Sequence, residues 1–174
     1  PTTIRCCRSR ITTEQLKKRL EEEHVLVENH PYLKDALLIS KYDYLESLET
    51  FREGLFVVQD ISSMLVGELA HVQAGAQVID LCAAPGGKAL DVAERILMEG
   101  QAGCSGHVEA RDLTEYKVSL IEENIERMGL CNVTAVCQDA SVYDEKSAGK
   151  ADIVIADLPC SCLLYTSDAA DERS

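Results

Sequence analysis

Apolar positions along the chain change their spacing several times, and each change predicts an element. Thr2–Cys6 is a short β-prone run. Leu16 and Leu20 then stand four apart, which predicts a helix over Glu14–Glu23 with Thr12 or Thr13 as its cap. Val25–Val27 and Ala36–Ser40 are short apolar stretches separated by the turn-prone Asn29-His30-Pro31. Phe51-Arg52-Glu53-Gly54 reads as a junction, and the pattern lengthens after it. Asp60–His71 carries Ile61, Met64, Leu65 and Leu69 on one helical face. Ala76–Leu81 is a strand, broken by Pro85-Gly86-Gly87. Lys88–Met98 is a helix with Leu90, Ala93 and Leu97 in phase, stopped at Gly100. His107–Arg111 is a strand. Thr114 can cap a helix through Met128, on which Val118, Ile121, Ile125 and Met128 are three and four apart, with Gly129 as its stop. Val133–Cys137 is a further strand, and Ile153–Ala156 is an unbroken apolar run, expected of a strand covered on both faces.

Alternating strands and helices imply a parallel sheet with right-handed crossovers. The fold class read from this order is α/β, with a Rossmann-like unit over residues 51–161 preceded by a small α/β lobe over residues 1–50. The chain has 174 residues, 46% of them apolar, so it can bury a substantial core. No apolar run approaches the ~20 residues of a membrane helix, and no internal repeat is visible. Eight cysteines stand at 6, 7, 82, 104, 131, 137, 160 and 162, mostly in aliphatic runs and never as CxxC. That distribution fits reduced thiols in a cytoplasmic protein better than a disulfide framework. The net charge of −13 argues at first against a nucleic-acid partner. It hides an asymmetry: residues 1–19 hold six bases and one acid, and the other residues hold 11 bases and 29 acids. The basic end reads either as a phosphate-binding face or as a solvated helix face.

In open α/β sheets ligands bind beyond the carboxyl ends of the strands. Four such ends carry chemistry here. Asp80-Leu81-Cys82-Ala83-Ala84-Pro85-Gly86-Gly87-Lys88 has small residues and two glycines that let backbone N–H groups approach a ligand at a helix start. It is not a phosphate-binding P-loop, because Ala89 stands where Ser or Thr should follow Gly-Lys and Cys82 where the first Gly should be. Asp112 closes the next strand, 25 residues beyond Gly87, near the spacing at which an acid accepts the ribose hydroxyls of a nucleoside cofactor. Asp139 follows the third strand, either beside an adenine edge or as a solvated loop acid. Asp157-Leu158-Pro159-Cys160-Ser161 puts a thiol and a carboxylate at the mouth of the cleft. The other cysteines read as structural, and no grouping has the spacing of a zinc site, so no metal is expected.

Together these motifs, with Gly54-Leu55-Phe56-Val57-Val58-Gln59-Asp60-Ile61-Ser62-Ser63-Met64, resemble the Sun-type bacterial small-subunit ribosomal RNA cytosine-5 methyltransferases. The likeness runs from about Pro1 to Ser161. It implies methyl transfer from S-adenosylmethionine to carbon 5 of a cytosine in ribosomal RNA, by a cytoplasmic protein that is monomeric when full length. On that likeness Cys82, Ala83, Ala84, Pro85, Gly86, Gly87 and Lys88 would surround the methionine part of the cofactor. Asp112 would hold the ribose, Asp139 would lie by the adenine, and Asp157 would lie near the methionine amine and the target base. Residues 1–50 would be the lobe beside an RNA-binding helical domain that is not in this chain. Carbon 5 of cytosine is a poor nucleophile, and a thiolate adding at carbon 6 activates it, on a base taken out of its stack. The likeness gives Cys160 the breakdown of that covalent adduct and draws the attacking cysteine from a later Thr-Cys-Ser-like motif that this sequence does not contain, so the chain as given is expected to be inactive. Two other readings are a DNA cytosine-5 methyltransferase, in which Cys160 would itself attack, and a non-catalytic module that binds cofactor or RNA.

Beyond Ser161 the pattern breaks. Cys162–Ser174 is acidic, lacks a core pattern and resembles a translated sequencing-library adaptor. The expectation is that residues 162–174 are non-native.

Overall fold

The computed structural model describes residues 1–100 and 106–158. Cys104, Cys160 and the 162–174 segment lie outside the described residues, so the thiol expected at the cleft mouth has no place in the geometry that follows.

The first unit is built on strand β1 (Thr2–Cys6), helix α1 (Thr13–Glu22), and strands β2 (Leu26–Asn29) and β3 (Ala36–Ser40). Thr12 caps α1: its side chain accepts from Gln15 N–H, while the Gln15 side chain accepts from Thr12 N–H. Leu16 and Leu20 face inward, as their spacing predicts. A short helix α2 (Glu49–Arg52) then leads into strand β4 (Phe56–Val58). The sheet is antiparallel in the order β2-β3-β1-β4, with Ile4 opposite Val58 and Cys6 opposite Phe56. This unit therefore runs past the boundary expected at residue 50. The junction at 51–54 turns the chain back so that β4 can complete the first sheet, and Leu55 and Phe56 join its core.

The second unit alternates as expected: helix α3 (Ile61–Leu69), strand β5 (Gln77–Asp80), helix α4 (Gly87–Glu99), strand β6 (His107–Asp112), helix α5 (Glu115–Met128), and strands β7 (Val133–Cys137) and β8 (Ile153–Ile155). Its strands pair in parallel in the order β7-β6-β5-β8, a Rossmann-like arrangement with the strand order reversing at β5. Val78, Val92, Ala93, Ile96, Val108, Ala110 and Ile121 form the centre of the core between sheet and helices. Strand β8 departs from expectation. Ile155 is buried but Val154 is 56% exposed: among the described residues β8 is the edge strand and no element covers that side.

Most of the basic end is used inside the molecule rather than as a charged surface. Arg5 is buried against Glu94, Arg8 pairs with Asp35 at 3.0 Å, and Arg19 pairs with Glu53. Arg10 donates to the backbone carbonyls of Glu53 and Arg127. These four arginines fasten parts of the molecule to one another, half-buried Lys17 donates to Asn29 Oδ1 at 3.3 Å, and Lys18 is exposed on α1.

Candidate functional site

The carboxyl ends of β5, β6 and β8 open on one side of the second sheet. There, together with the segment 58–63 and the start of α4, they bound a cavity of about 550 Å³. Its lining includes Gln59, Asp60, Asp80, Cys82, Gly87, Lys88, Asp112, Lys117 and Asp157.

The turn after β5 is shaped by local chemistry. Ala83 N–H donates to Arg111 C=O, which ties the turn to β6, and Gly86 N–H donates back to Ala83 C=O. Gly86 sits at φ 109°, a backbone conformation that side chains strongly disfavour, and its carbonyl accepts from Leu90 N–H to start α4. The small residues of this stretch therefore do what their composition suggested: they bring backbone and a helix start to the edge of a cavity.

The carboxylates around the cavity differ sharply. Asp112 is buried, which alone pushes its carboxyl up. Against that, it accepts from Ala84 N–H at 3.0 Å and Leu113 N–H at 2.8 Å and pairs with Lys117 at 3.2 Å, and it ends below the usual carboxylate range. Asp80 is as deeply buried, but one weak bond from Cys82 N–H at 3.3 Å reaches Oδ1, and among the described residues Oδ2 has no partner. Burial wins there, and its carboxyl rises to about 6. Lys88 donates to Asp157 at 2.6 Å across the opening between α4 and the end of β8. Asp60 caps α3: the Ser62 hydroxyl and the backbone N–H and hydroxyl of Ser63 all donate to it, which lowers it to about 2. Burial raises the Cys82 thiol, with Asp112 and Asp80 adding to the effect.

Of the residues singled out from sequence, Cys82, Ala83, Ala84, Pro85, Gly87, Lys88, Asp112 and Asp157 line the cavity, and Gly86 forms its turn. Asp139 does not line it. Its Oδ1 accepts from the backbone N–H and hydroxyl of Ser141 at 2.8 and 2.7 Å, which closes a local turn after β7. Gln59, Asp60, Ser63, Asp80 and Lys117 also line the cavity; the first four stand in the quoted motifs without an assigned role, and Lys117 stands in none. Asp60-Ile61-Ser62-Ser63 carries a legible helix-start signal. Nothing in the local pattern marks Lys117, which reaches Asp112 only because α5 packs beside β6.

The geometry agrees with comparisons to known proteins. Residues 68–171 match the family model described as 16S rRNA methyltransferase RsmB/F. The chain is 32% identical over 160 residues to the probable ribosomal RNA small subunit methyltransferase B of Bacillus subtilis (strain 168), covering 91% of this chain and 34% of that protein. It is 30% identical over 161 residues to the ribosomal RNA small subunit methyltransferase B of Yersinia pestis bv. Antiqua (strain Angola), covering 92% and 36%. The chain thus spans about a third of the length of the curated relatives it matches. Among solved structures, PH0851 superposes with a TM-score of 0.83 at 28% identity, covering 91% of this chain and 35% of that one. A methyltransferase homolog protein from Pyrococcus horikoshii superposes with a TM-score of 0.69 at 26% identity, covering 80% and 44%.

Proposed function

The chain belongs to the 16S rRNA methyltransferase RsmB/F family, and from that premise we propose that its cavity binds S-adenosylmethionine for methyl transfer to carbon 5 of a cytosine in small-subunit ribosomal RNA. The observation that carries this reading is the gathering of Asp80, the 82–88 turn, Lys88 and Asp112 around one cavity at the carboxyl ends of parallel strands.

The residues present suit such a ligand. Asp112 is held ionised by two backbone donors and Lys117, so it presents an acceptor for paired ribose hydroxyls. Asp80 Oδ2 is a buried acceptor without a partner among the described residues, which suits a cationic amine at the wall beside it. The 82–88 turn and the first turn of α4 suit the carboxylate of the amino-acid part. Lys88 holds Asp157 at the opening, where this carboxylate can orient both the amine and the target base. Asp139, whose Oδ1 is taken by Ser141, would meet an adenine only through Oδ2. Bound there, the cofactor supplies a methyl group activated by its sulfonium. Cys160 is assigned to assist the breakdown of the cytosine adduct, in which carbon 5 loses its proton and the separate attacking cysteine leaves carbon 6. A ribosomal RNA substrate puts the protein in the cytoplasm, and among the described residues no helix is long and apolar enough to cross a membrane.

Calorimetric titration of the chain with S-adenosylhomocysteine tests the reading. One site per chain is expected. Asp112→Ala should weaken it roughly tenfold or more, the loss expected of hydrogen bonds to a charged group, while leaving the far-ultraviolet dichroism unchanged. Absence of binding by the unmodified chain overturns the reading.

A further inference from the structure

We infer that Gln59 is a positioning residue for the cavity, and that Arg5 of the first lobe sets its place. The inference rests on the cofactor reading above and adds to it a link between the two units.

Gln59 lines the cavity yet is only 6% exposed. Its Oε1 accepts from Arg5 Nε at 2.8 Å. A guanidinium has donors only, so the amide oxygen must face Arg5 and the NH₂ end must face away from it. The rest of the side chain lies flat on the start of α4: a Cβ placed on Gly87 would meet its Cδ at 3.6 Å and its Cγ and Nε2 at 3.7 Å. Gln59 is thus a wedge between β1 and the first residue of the helix that borders the cavity.

Arg5 is itself held from two sides by that same helix. Its Nη1 donates to Glu94 Oε2 and lies 3.6 Å from Asp91 Oδ1. The second oxygen of Glu94 accepts from the Ser9 N–H at 3.0 Å and the Ser9 hydroxyl at 2.7 Å. All three charged groups are almost wholly buried. One guanidinium therefore grips the middle of α4 through Glu94 and sets the beginning of α4 through Gln59. A shift of β1 against α4 cannot leave Gln59 in place, and Gln59 cannot move without changing the cavity wall beside Gly87.

Packing alone does not explain the arrangement. Among the described residues Gln59 Nε2 and Arg5 Nη2 are buried donors without partners, and such groups carry a desolvation cost. An apolar side chain at 59 would fill the space without that cost, but it would leave Arg5 Nε without an acceptor.

The test uses the full chain and S-adenosylhomocysteine, titrated well below the unfolding temperature, in the unmodified protein, Gln59→Leu, Arg5→Lys and the double variant. Gln59→Leu keeps the volume and removes the acceptor. Arg5→Lys keeps a cation opposite Glu94 and removes the donor to Gln59. It is also the variant that preserves the fold should Gln59→Leu not do so. Each single variant should weaken binding roughly five- to tenfold, and the double variant no more than the weaker-binding single, because both remove one link. Amide exchange in residues 87–90 should quicken in each. Affinity within about twofold of the unmodified chain in folded Gln59→Leu or Arg5→Lys overturns the inference, as do losses that multiply in the double variant. If the unmodified chain fails to bind, the cofactor reading falls and this inference with it. If it binds and the variants bind equally, this inference alone falls.

Discussion

Asp80 and Asp112 close neighbouring parallel strands at similar depth, and their surroundings drive them in opposite directions. Asp112 has two backbone donors and a lysine, which hold it ionised. Asp80 has one weak donor and an oxygen with none, and burial raises it to about 6 from 3.8. An acid whose carboxyl is raised on folding binds protons more tightly in the folded state, so its contribution to stability falls as pH rises between those values. At neutral pH an ionised Asp80 costs the ligand-free fold about 2–3 kcal/mol. Asp80→Asn should therefore stabilise the ligand-free chain at pH 7.5 by an amount of that order, with the gain fading as pH drops through 6 towards 4. Paired denaturant titrations of the two proteins across that range measure it. The same variant should bind S-adenosylhomocysteine more weakly, since the acceptor proposed for the amine loses its charge. Asp112 stood out in the sequence because it lies at a telling distance from a glycine turn. Asp80 belongs to the same motif, but what distinguishes it is the missing partner on Oδ2, a property of three-dimensional surroundings.

At the scale of elements, the helices followed from periodicity and caps. Thr12, Asp60 and Thr114 each accept a hydrogen bond from a backbone N–H in the first turn that follows, and Gly129 ends α5 at φ 68°. The turn into α4 has the least tolerance. Gly86 lies at φ 109°, and a Cβ there would meet Leu90 Cδ1 at 3.0 Å. Gly86→Ala should cost at least about 1 kcal/mol of stability, read as a lower denaturation midpoint at unchanged slope. It should also weaken cofactor binding, because the first turn of α4 must tilt to accommodate the methyl group. Strands were less legible than helices. The apolar run ending in Ile155 suits a strand covered on both faces, but coverage depends on what packs beside it, and Val154 faces outward on the edge. The run at Phe56–Val58 was legible as apolar. Its allegiance to the first sheet was not, since antiparallel pairing with β1 joins residues some fifty positions apart in the chain.

The two units meet through polar fasteners around a small apolar contact. Arg127 of α5 donates to the carbonyls of Phe51 and Phe56 at 3.1 Å and stacks over the Phe51 ring at 4.2 Å, while Arg10 reaches the carbonyls of Glu53 and Arg127. Gly54 sits where these meet, at φ 68°, and a Cβ on it would lie 1.9 Å from the Arg127 carbonyl oxygen. Backbone cannot yield there as a side-chain tip could. Gly54→Ala should thus cost more than about 2 kcal/mol and lower the thermal midpoint of the whole molecule, measured by dichroism in the near and far ultraviolet. A transition confined to one unit, with the other unaffected, would show that the contact does not couple them. Local signals were enough to read the elements of the second unit, its parallel α/β order and the motif that borders the cavity, because periodicity, caps and glycine turns act within a few residues of one another. Tertiary structure decided the rest: that β4 joins the first sheet, that Asp139 bonds Ser141 away from the cavity, that four N-terminal arginines fasten the fold, and that Asp80 and Asp112 part in acidity. Each of these depends on neighbours brought together from distant parts of the chain, and burial and hydrogen bonding exist only once those neighbours have met.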